Sequence, residues 1–460
     1  MLVSVAYFIS WGIYARNFNV WNINPTGLTH INYAFANIAD GKVVLGDPWA
    51  DTDKVNEGHG DSWNDPPNYL HGNFYQLFRL KQQYRWIKTG ISVGGWTWSG
   101  SFSNIAATDA GRKMFVTSAL NFILTYGMDY VDLDWEYPVS GGLPENSRRP
   151  EDGTNLVLLL QEFKRQIAAY PGRNIKVTMA VSCGLVTLVN YKLAQMDPYI
   201  DYYNMMCYDF TGSFSPVADH QSNLFGRDAS VDSVIKAVDY AIASGADRKK
   251  LVIGVPIYGR GFAQCSGLTQ PFSGGGPGTW EPGVYDQKVL PLAGCTQLWE
   301  PVSNASFCYN QASKMLISYD TPTSVSYKMQ WLLSMGLGGS MFWELSADYP
   351  FSSDQSLQRM INIWLGPYLD KSNNELCYPM SPYGNINNVA GCSPARRLRD
   401  NFRPDEKYIE SHSPFKSPRN RLALFYPRAH YNYTAFAQSG RCPRWFVDVL
   451  PPAPVPVEPK

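Results

Sequence analysis

Charge is what this sequence has least of. Asp, Glu, Lys and Arg make up 17% of its 460 residues, against about 25% in a usual chain. The 39 basic residues balance the 39 acidic ones, so the formal net charge is zero. A neutral, weakly charged chain suits neither the phosphate backbone of nucleic acid nor an anionic membrane surface, and neither is expected as a partner. Long apolar runs are missing too, since none reaches the ~18 residues needed to span a bilayer. The apolar start has no positive charge before Arg16 and no small-x-small cleavage pattern, so it reads as a buried strand and not as a signal peptide. On its own the chain reads as cytoplasmic, and as extracellular or cell-wall if a leader precedes it. The 8 cysteines form no CxxC pair and no His-rich cluster accompanies them, so no metal and no cofactor is expected. Cys207 lies in an apolar run and reads as a buried free thiol, while Cys295 and Cys308 are candidates to close a small loop. Asn304-Ala-Ser306 and Asn432-Tyr-Thr434 match the glycosylation pattern, which is short enough to arise by chance.

Aromatic residues, by contrast, are plentiful, at 14% with 14 Trp and 29 Tyr. They suit an uncharged, ring-shaped ligand and equally a large core. Eight short apolar runs recur along the chain: Val3–Ile9, His30–Asn37, Ile87–Val93, Tyr130–Trp135, Ile175–Ser182, Tyr202–Tyr208, Leu251–Tyr258 and Gly339–Trp343. Most are continuous, as strands covered on both faces should be. Amphipathic stretches such as Arg112–Tyr126, Asn155–Ala169, Val231–Ser244 and Ser324–Met335 lie between them. Strand–helix alternation repeated eight times predicts a (β/α)8 barrel over residues 1–391. Residues 261–316, rich in Gly, Pro, Trp and Tyr, read as a small α+β insertion between the seventh strand and its helix. Residues 392–460 hold twelve positive and six negative side chains with scattered prolines and no sustained period, and read as a flexible tail.

The chemically informative segment is Gly127–Pro138, with Asp129, Asp132, Asp134 and Glu136 in a DxxDxDxE pattern. Period-two alternation puts Asp132, Asp134 and Glu136 on one face of a strand and Val131, Leu133 and Trp135 on the other. On the fourth barrel strand the acids then point inward and climb toward the C-terminal mouth, where barrels of this kind carry their active sites. Carboxylates crowded in a core raise at least one pKa strongly, which makes the outermost, Glu136, the natural proton donor. A solvated acidic edge strand and a hard-cation site remain as alternatives, though an edge would not interleave its acids with Val, Leu and Trp.

With these residues in place the chain resembles the family-18 glycoside hydrolases, and within them the fungal chitinases of the bacterial-like type. The resemblance runs from about Val3 to Gly391. It rests on Tyr7–Trp11, Ser92–Trp96, the acidic run, Asn204–Asp209, Pro256–Arg260 and Gly339–Glu344, in order and at barrel spacing, with Asn374–Pro379 resembling the family's usual ending. The resemblance implies a chitinase acting on chitin and N-acetylglucosamine oligosaccharides, as a monomer, by substrate-assisted retention. Glu136 would be acid and then base, Asp134 would orient the acetamido group and stabilise an oxazolinium, and Asp132 would receive Asp134 when it swings. Tyr208 and Asp209 would hold the sugar, with Met206 as floor and Trp343 stacked beneath the −1 unit. Trp96 and Phe214 would serve the + side, Tyr258 and Arg260 would donate hydrogen bonds, and Glu281 would come from the insertion. Tyr7 and Ser92 would support Asp132, and Asp129 would be a buttress. Three departures from the family pattern stand out: Tyr130 where Gly is usual, Cys207 for a small or hydroxyl residue, and Phe214 for Trp. A lectin-like relative and an endo-β-N-acetylglucosaminidase are the competing readings.

Overall fold

The computed structural model describes residues 1–389. Its strands, in chain order, are Val3–Ile9 (β1), His30–Ala39 (β2), Lys42–Val44 (β3), Lys88–Gly94 (β4), Tyr130–Asp134 (β5), Lys176–Ser182 (β6), Tyr202–Met206 (β7), Leu251–Pro256 (β8), Tyr258–Phe262 (β9), Val284–Asp286 (β10), Thr296–Glu300 (β11), Ala305–Asn310 (β12), Met315–Ser318 (β13) and Gly339–Trp343 (β14). Eight of them run parallel in the order β1-β14-β8-β7-β6-β5-β4-β2, and β1 pairs with β2 to close the cylinder. The fold is thus a (β/α)8 barrel. β3 lies outside it, antiparallel to β2.

The continuous apolar runs are explained by two cores. Ala6 and Phe8 of β1 join a large cluster that fills the space between strands and helices. Val3, Val5, Tyr7 and Ile9 point the other way, into a smaller cluster inside the barrel with Ala34, Val252 and Met341. Three of the four expected helices begin two or three residues earlier than apolar periodicity indicates, at Asp109, Asp152 and Pro322, because their first turns are polar, while the fourth begins later, at Val234, behind its Ser233 cap. The helix Asp109–Tyr126 starts behind Thr108, whose side chain accepts from Gly111 N, and stops at Gly127 with φ 75°. The helix Pro322–Met335 has a Thr321/Ser324 capping box and ends at Gly336 with φ 64°.

The insertion differs from its expected outline. Its sheet already starts at Tyr258, because the barrel strand ends at Pro256, and it continues to Ser318. Five antiparallel strands, β10-β9-β13-β12-β11, make up this sheet, and its helical part reduces to the 3-10 turn Gln287–Val289. Cys295 and Cys308 are bonded within it. The tail at 392–460 and Asn432 lie outside the described residues. Among the described residues no helix is long and apolar enough to cross a membrane.

At the lower end of the barrel, Asn374 fastens the chain across the first helices. Its amide donates to the carbonyls of Lys81 at 3.0 Å and Ile87 at 2.6 Å. Beside it, Asp129 accepts from Lys81 Nζ at 2.8 Å, from Thr89 N at 2.8 Å and from Glu375 N at 3.0 Å. Asp129 therefore sits at the foot of β5, out of phase with the inward acids.

Candidate active site

Register builds the deepest part of the site. β5 aligns Asp132 with Ser92 of β4 and Thr178 of β6. Both neighbours donate to its carboxylate, Ser92 Oγ at 2.9 Å and Thr178 Oγ1 at 2.5 Å. From across the barrel Tyr7 OH adds a bond at 2.8 Å and Asn204 Nδ2 one at 3.0 Å. Burial pushes the Asp132 pKa up, and the bonds from Thr178, Tyr7, Ser92 and Asn204 oppose it. Four donors converging on one carboxyl favour its ionised, acceptor-only form. Burial and the Asp132 charge hold the Tyr7 hydroxyl well above its usual range, so it stays a donor.

Asp134, one step higher, is treated differently. Its Oδ1 is buried and has no hydrogen-bond partner. Burial first, then the charges of Glu136 and Asp132, raise its pKa well above the carboxylate range. Gly94, at φ 103°, makes room for this step, since a Cβ there would come within 2.5 Å of the Asp134 carbonyl oxygen. Glu136 lies beyond the strand, not on it, because β5 ends at Asp134. Its backbone is pinned instead: the N–H donates to Ser99 Oγ at 2.9 Å and the carbonyl accepts from Asn146 Nδ2 at 3.0 Å. Trp135, stacked 5.4 Å from Phe102, anchors the outer side of the turn. Burial lifts the Glu136 pKa to about 7, with a bond from Tyr137 pulling down and the Asp209 charge pushing up. At neutral pH this carboxyl is therefore poised between donor and acceptor.

The opposite wall is a closed ion pair. Asp209, at φ 57°, accepts from Tyr258 OH at 2.7 Å and from Arg260 Nε and Nη2 at 2.8 and 2.7 Å. Both Asp209 oxygens are thus engaged. Burial opposes the Arg260 charge, but Asp209 outweighs it and Glu281 adds to the stabilisation. Tyr208, whose ring is 6.2 Å from that of Tyr258, is held protonated by burial and by the surrounding acids. The floor is aromatic. Trp343 stacks on Phe35 at 5.6 Å and leans on Tyr7 at 5.3 Å, and Met206 and Tyr208 pack on the same interior cluster.

Two predicted positions stand apart from these contacts. Trp96 is half-buried in the turn Gly95–Trp98 that follows β4, and Phe214 is at the exposed end of the loop after β7, folded over Gly212. Tyr130 is accommodated by a small partner. A Cβ on Gly90 would lie 2.2 Å from the Tyr130 ring, and the hydroxyl donates to Asn32 at 2.5 Å. Its place on the inner face of β5 is therefore a packed one, two residues below Asp132.

Sequence reasoning missed Ser99, Thr178 and Asn146, and gave Asn204 no role. It also missed an aromatic row on the rim. Trp11 lies 6.4 Å from Trp343, and Tyr14 stacks on Trp49 at 5.9 Å. Arg16 was missed as well; it ties the loop after β1 to Asp286 of the insertion at 3.1 Å and to Glu344 at 3.5 Å. The one available signal was Trp11, inside the Tyr7–Trp11 motif.

The profile of glycosyl hydrolases family 18 matches residues 3–348. The chain is 40% identical over 397 residues to "Chitinase A1" of Niallia circulans, covering 75% of this chain and 56% of that protein. It is 38% identical over 394 residues to "Endochitinase 1" of Metarhizium robertsii, covering 84% of this chain and 90% of that one. Among solved structures, chitinase ChiA74 from Bacillus thuringiensis superposes with a TM-score of 0.75 at 34% identity, over 80% of this chain and 70% of that one.

Proposed function

The chain belongs to family 18 of the glycosyl hydrolases, and on that basis we propose that it is a chitinase, which hydrolyses β-1,4 bonds between N-acetylglucosamine units by substrate-assisted retention. One observation carries the mechanism: Glu136 is protonatable near neutrality, while Asp134, the neighbouring carboxyl with an unpartnered oxygen, is held protonated by burial and by the Glu136 and Asp132 charges, which suits an acceptor and not a nucleophile. Asp209 has both oxygens committed to Arg260 and Tyr258, and Asp132 is saturated below the reacting level. The nucleophile then comes from the substrate, as its own 2-acetamido oxygen.

In this reading the −1 sugar rests on Trp343, whose indole suits the C–H face of a pyranose. Glu136 protonates the leaving oxygen while the acetamido oxygen attacks the anomeric carbon. Asp134 accepts a hydrogen bond from the acetamido N–H through its unpartnered oxygen and stabilises the positive oxazolinium. Tyr208 steadies the acetamido oxygen. Glu136, now ionised, takes a proton from water as the water opens the ring. Two inversions at one carbon give the β-anomer. The rim aromatics Trp11, Tyr14 and Trp49 extend the platform for further sugars of the chain.

Hydrolysis of a fluorogenic chitotrioside, set against release of a glycan from a glycoprotein, tests the assignment. Turnover of the first without the second is expected. Glycan release alone would make the protein an endo-β-N-acetylglucosaminidase, and binding without turnover would make it a lectin.

A further inference from the structure

Cys183 and Cys207 are the next residues after β6 and β7, whose last paired residues are Ser182 and Met206. The two cysteines therefore face each other across adjacent parallel strands. Neighbouring strands lie about 4.8 Å apart, and a disulfide needs its Cα atoms roughly 4.4–6.8 Å apart. In the structure both are buried free thiols, as expected for Cys207, and their sulfurs are 3.0 Å from each other. That is closer than the ~3.5–4.0 Å of ordinary carbon contacts, although sulfur is the larger atom. Both side chains belong to the outer core, where they are 1% and 0% exposed. Elsewhere the same chain is already cross-linked, at Cys295–Cys308 and through Cys377. A chain with a structural disulfide folds where thiols are oxidised, so an in-register pair would meet the same oxidant.

We propose that Cys183 and Cys207 form a further disulfide in the mature protein, made during folding by exchange with a low-molecular-weight disulfide such as oxidised glutathione. One cysteine thiolate attacks a sulfur of the oxidant and releases one reduced glutathione. The second cysteine attacks the resulting mixed disulfide and releases another. The protein loses two electrons and two protons, and the oxidant becomes two thiols. The order of events follows from burial. In the folded chain burial holds the Cys183 thiol well above its usual range, and neither sulfur is open to a reagent. The bond forms before the helices cover the strands and is then shielded from reductants. It lies one residue before Tyr208 and two before Asp209, which holds φ 57°. It would staple the strand ends that carry this wall of the cleft.

Peptide mass spectrometry on the full chain, refolded in a glutathione redox buffer, tests this. The protein is unfolded with an alkylating agent and no reductant, then digested. A peptide pair joined through Cys183 and Cys207, about 2 Da lighter than the two thiols, is expected. Alkyl groups on both cysteines would overturn the proposal. A thermal arm adds a second reading. Cys183→Ala, Cys207→Ala and the double variant should lower the melting temperature by the same amount, about 2–5 °C, because each breaks the same bond. Additive losses, or no loss in any of the three, would contradict it.

Discussion

The two ends of β5 treat the same residue type in opposite ways. At its foot and centre, Asp129 and Asp132 are saturated with donors: Lys81, Thr89 and Glu375 for the first, Tyr7, Ser92, Thr178 and Asn204 for the second. At the mouth, Asp134 keeps a buried oxygen without a partner, and Glu136 is held through its backbone and a neighbouring tyrosine. Burial raises the pKa of Asp132, Asp134 and Glu136 alike, and what separates Asp132 from the other two is the set of donors that oppose it. The lower acids are acceptors fixed by structure. The upper ones keep acceptor capacity unused within the structure, which the proposed mechanism draws on.

The sharpest break in this contrast is expected at Glu136. Glu136→Gln should lower turnover by about 10²–10⁴-fold, the usual worth of a general acid–base group, with oligosaccharide affinity retained. A variant keeping a tenth of the parent rate would displace Glu136 from this role. The same substitution separates stability from activity. A carboxyl whose folded pKa is raised stabilises the fold below its unfolded value, about 4.5, and loses that contribution as pH rises through about 7. Gln has no such loss. The melting temperature of Glu136→Gln should therefore overtake that of the parent as pH climbs from 5 to 8, while the parent's kcat/KM falls above about pH 7. Thermal scans across that range would show the crossing.

Asp134→Asn should come next, with a loss of about 10²–10³-fold in kcat, comparable to removal of an electrostatic stabiliser of a charged intermediate. Its melting temperature at neutral pH should hold or rise, because Asn folds without the proton uptake that burial forces on Asp134. Asp132→Asn should show the reverse signature. An amide in place of a carboxylate oxygen leaves two donors facing a donor, and the fold should lose about 2–4 kcal/mol. Denaturant titration of the two variants side by side reads this difference, and equal destabilisation would erase the distinction between them. Trp343→Ala should have the smallest effect, about 1–3 kcal/mol in affinity for a chitooligosaccharide, measured by calorimetry.

Which parts of this were legible in sequence follows from what each part depends on. The eight strands were legible because burial on both faces writes itself as a continuous apolar run. Asp132, Asp134 and Asp209 were legible because they sit in motifs on those runs. Glu136 was placed beside Asp134 for a reason that only partly holds, since alternation ends at Asp134 and a turn pinned by Ser99 and Asn146 carries the side chain onward. Thr178 and Asn204 act through register between strands that are distant in sequence, and no local pattern reports register. The insertion's start at Tyr258 was hidden because Leu251–Tyr258 reads as one apolar run, although the chain leaves the barrel at Pro256. How Tyr130 fits where Gly is usual was not legible, because the room for its ring comes from Gly90 on the neighbouring strand.

The account rests on the acetamido group being a reagent. The most direct test is digestion of a partly acetylated chitosan of random pattern, with the sugar at every new reducing end identified by mass spectrometry. The account predicts N-acetylglucosamine at essentially all of them, since only an acetylated unit in −1 can form the oxazolinium. Glucosamine at new reducing ends in proportion to its abundance in the polymer would contradict it, and would require an enzymatic carboxylate in the nucleophile's place.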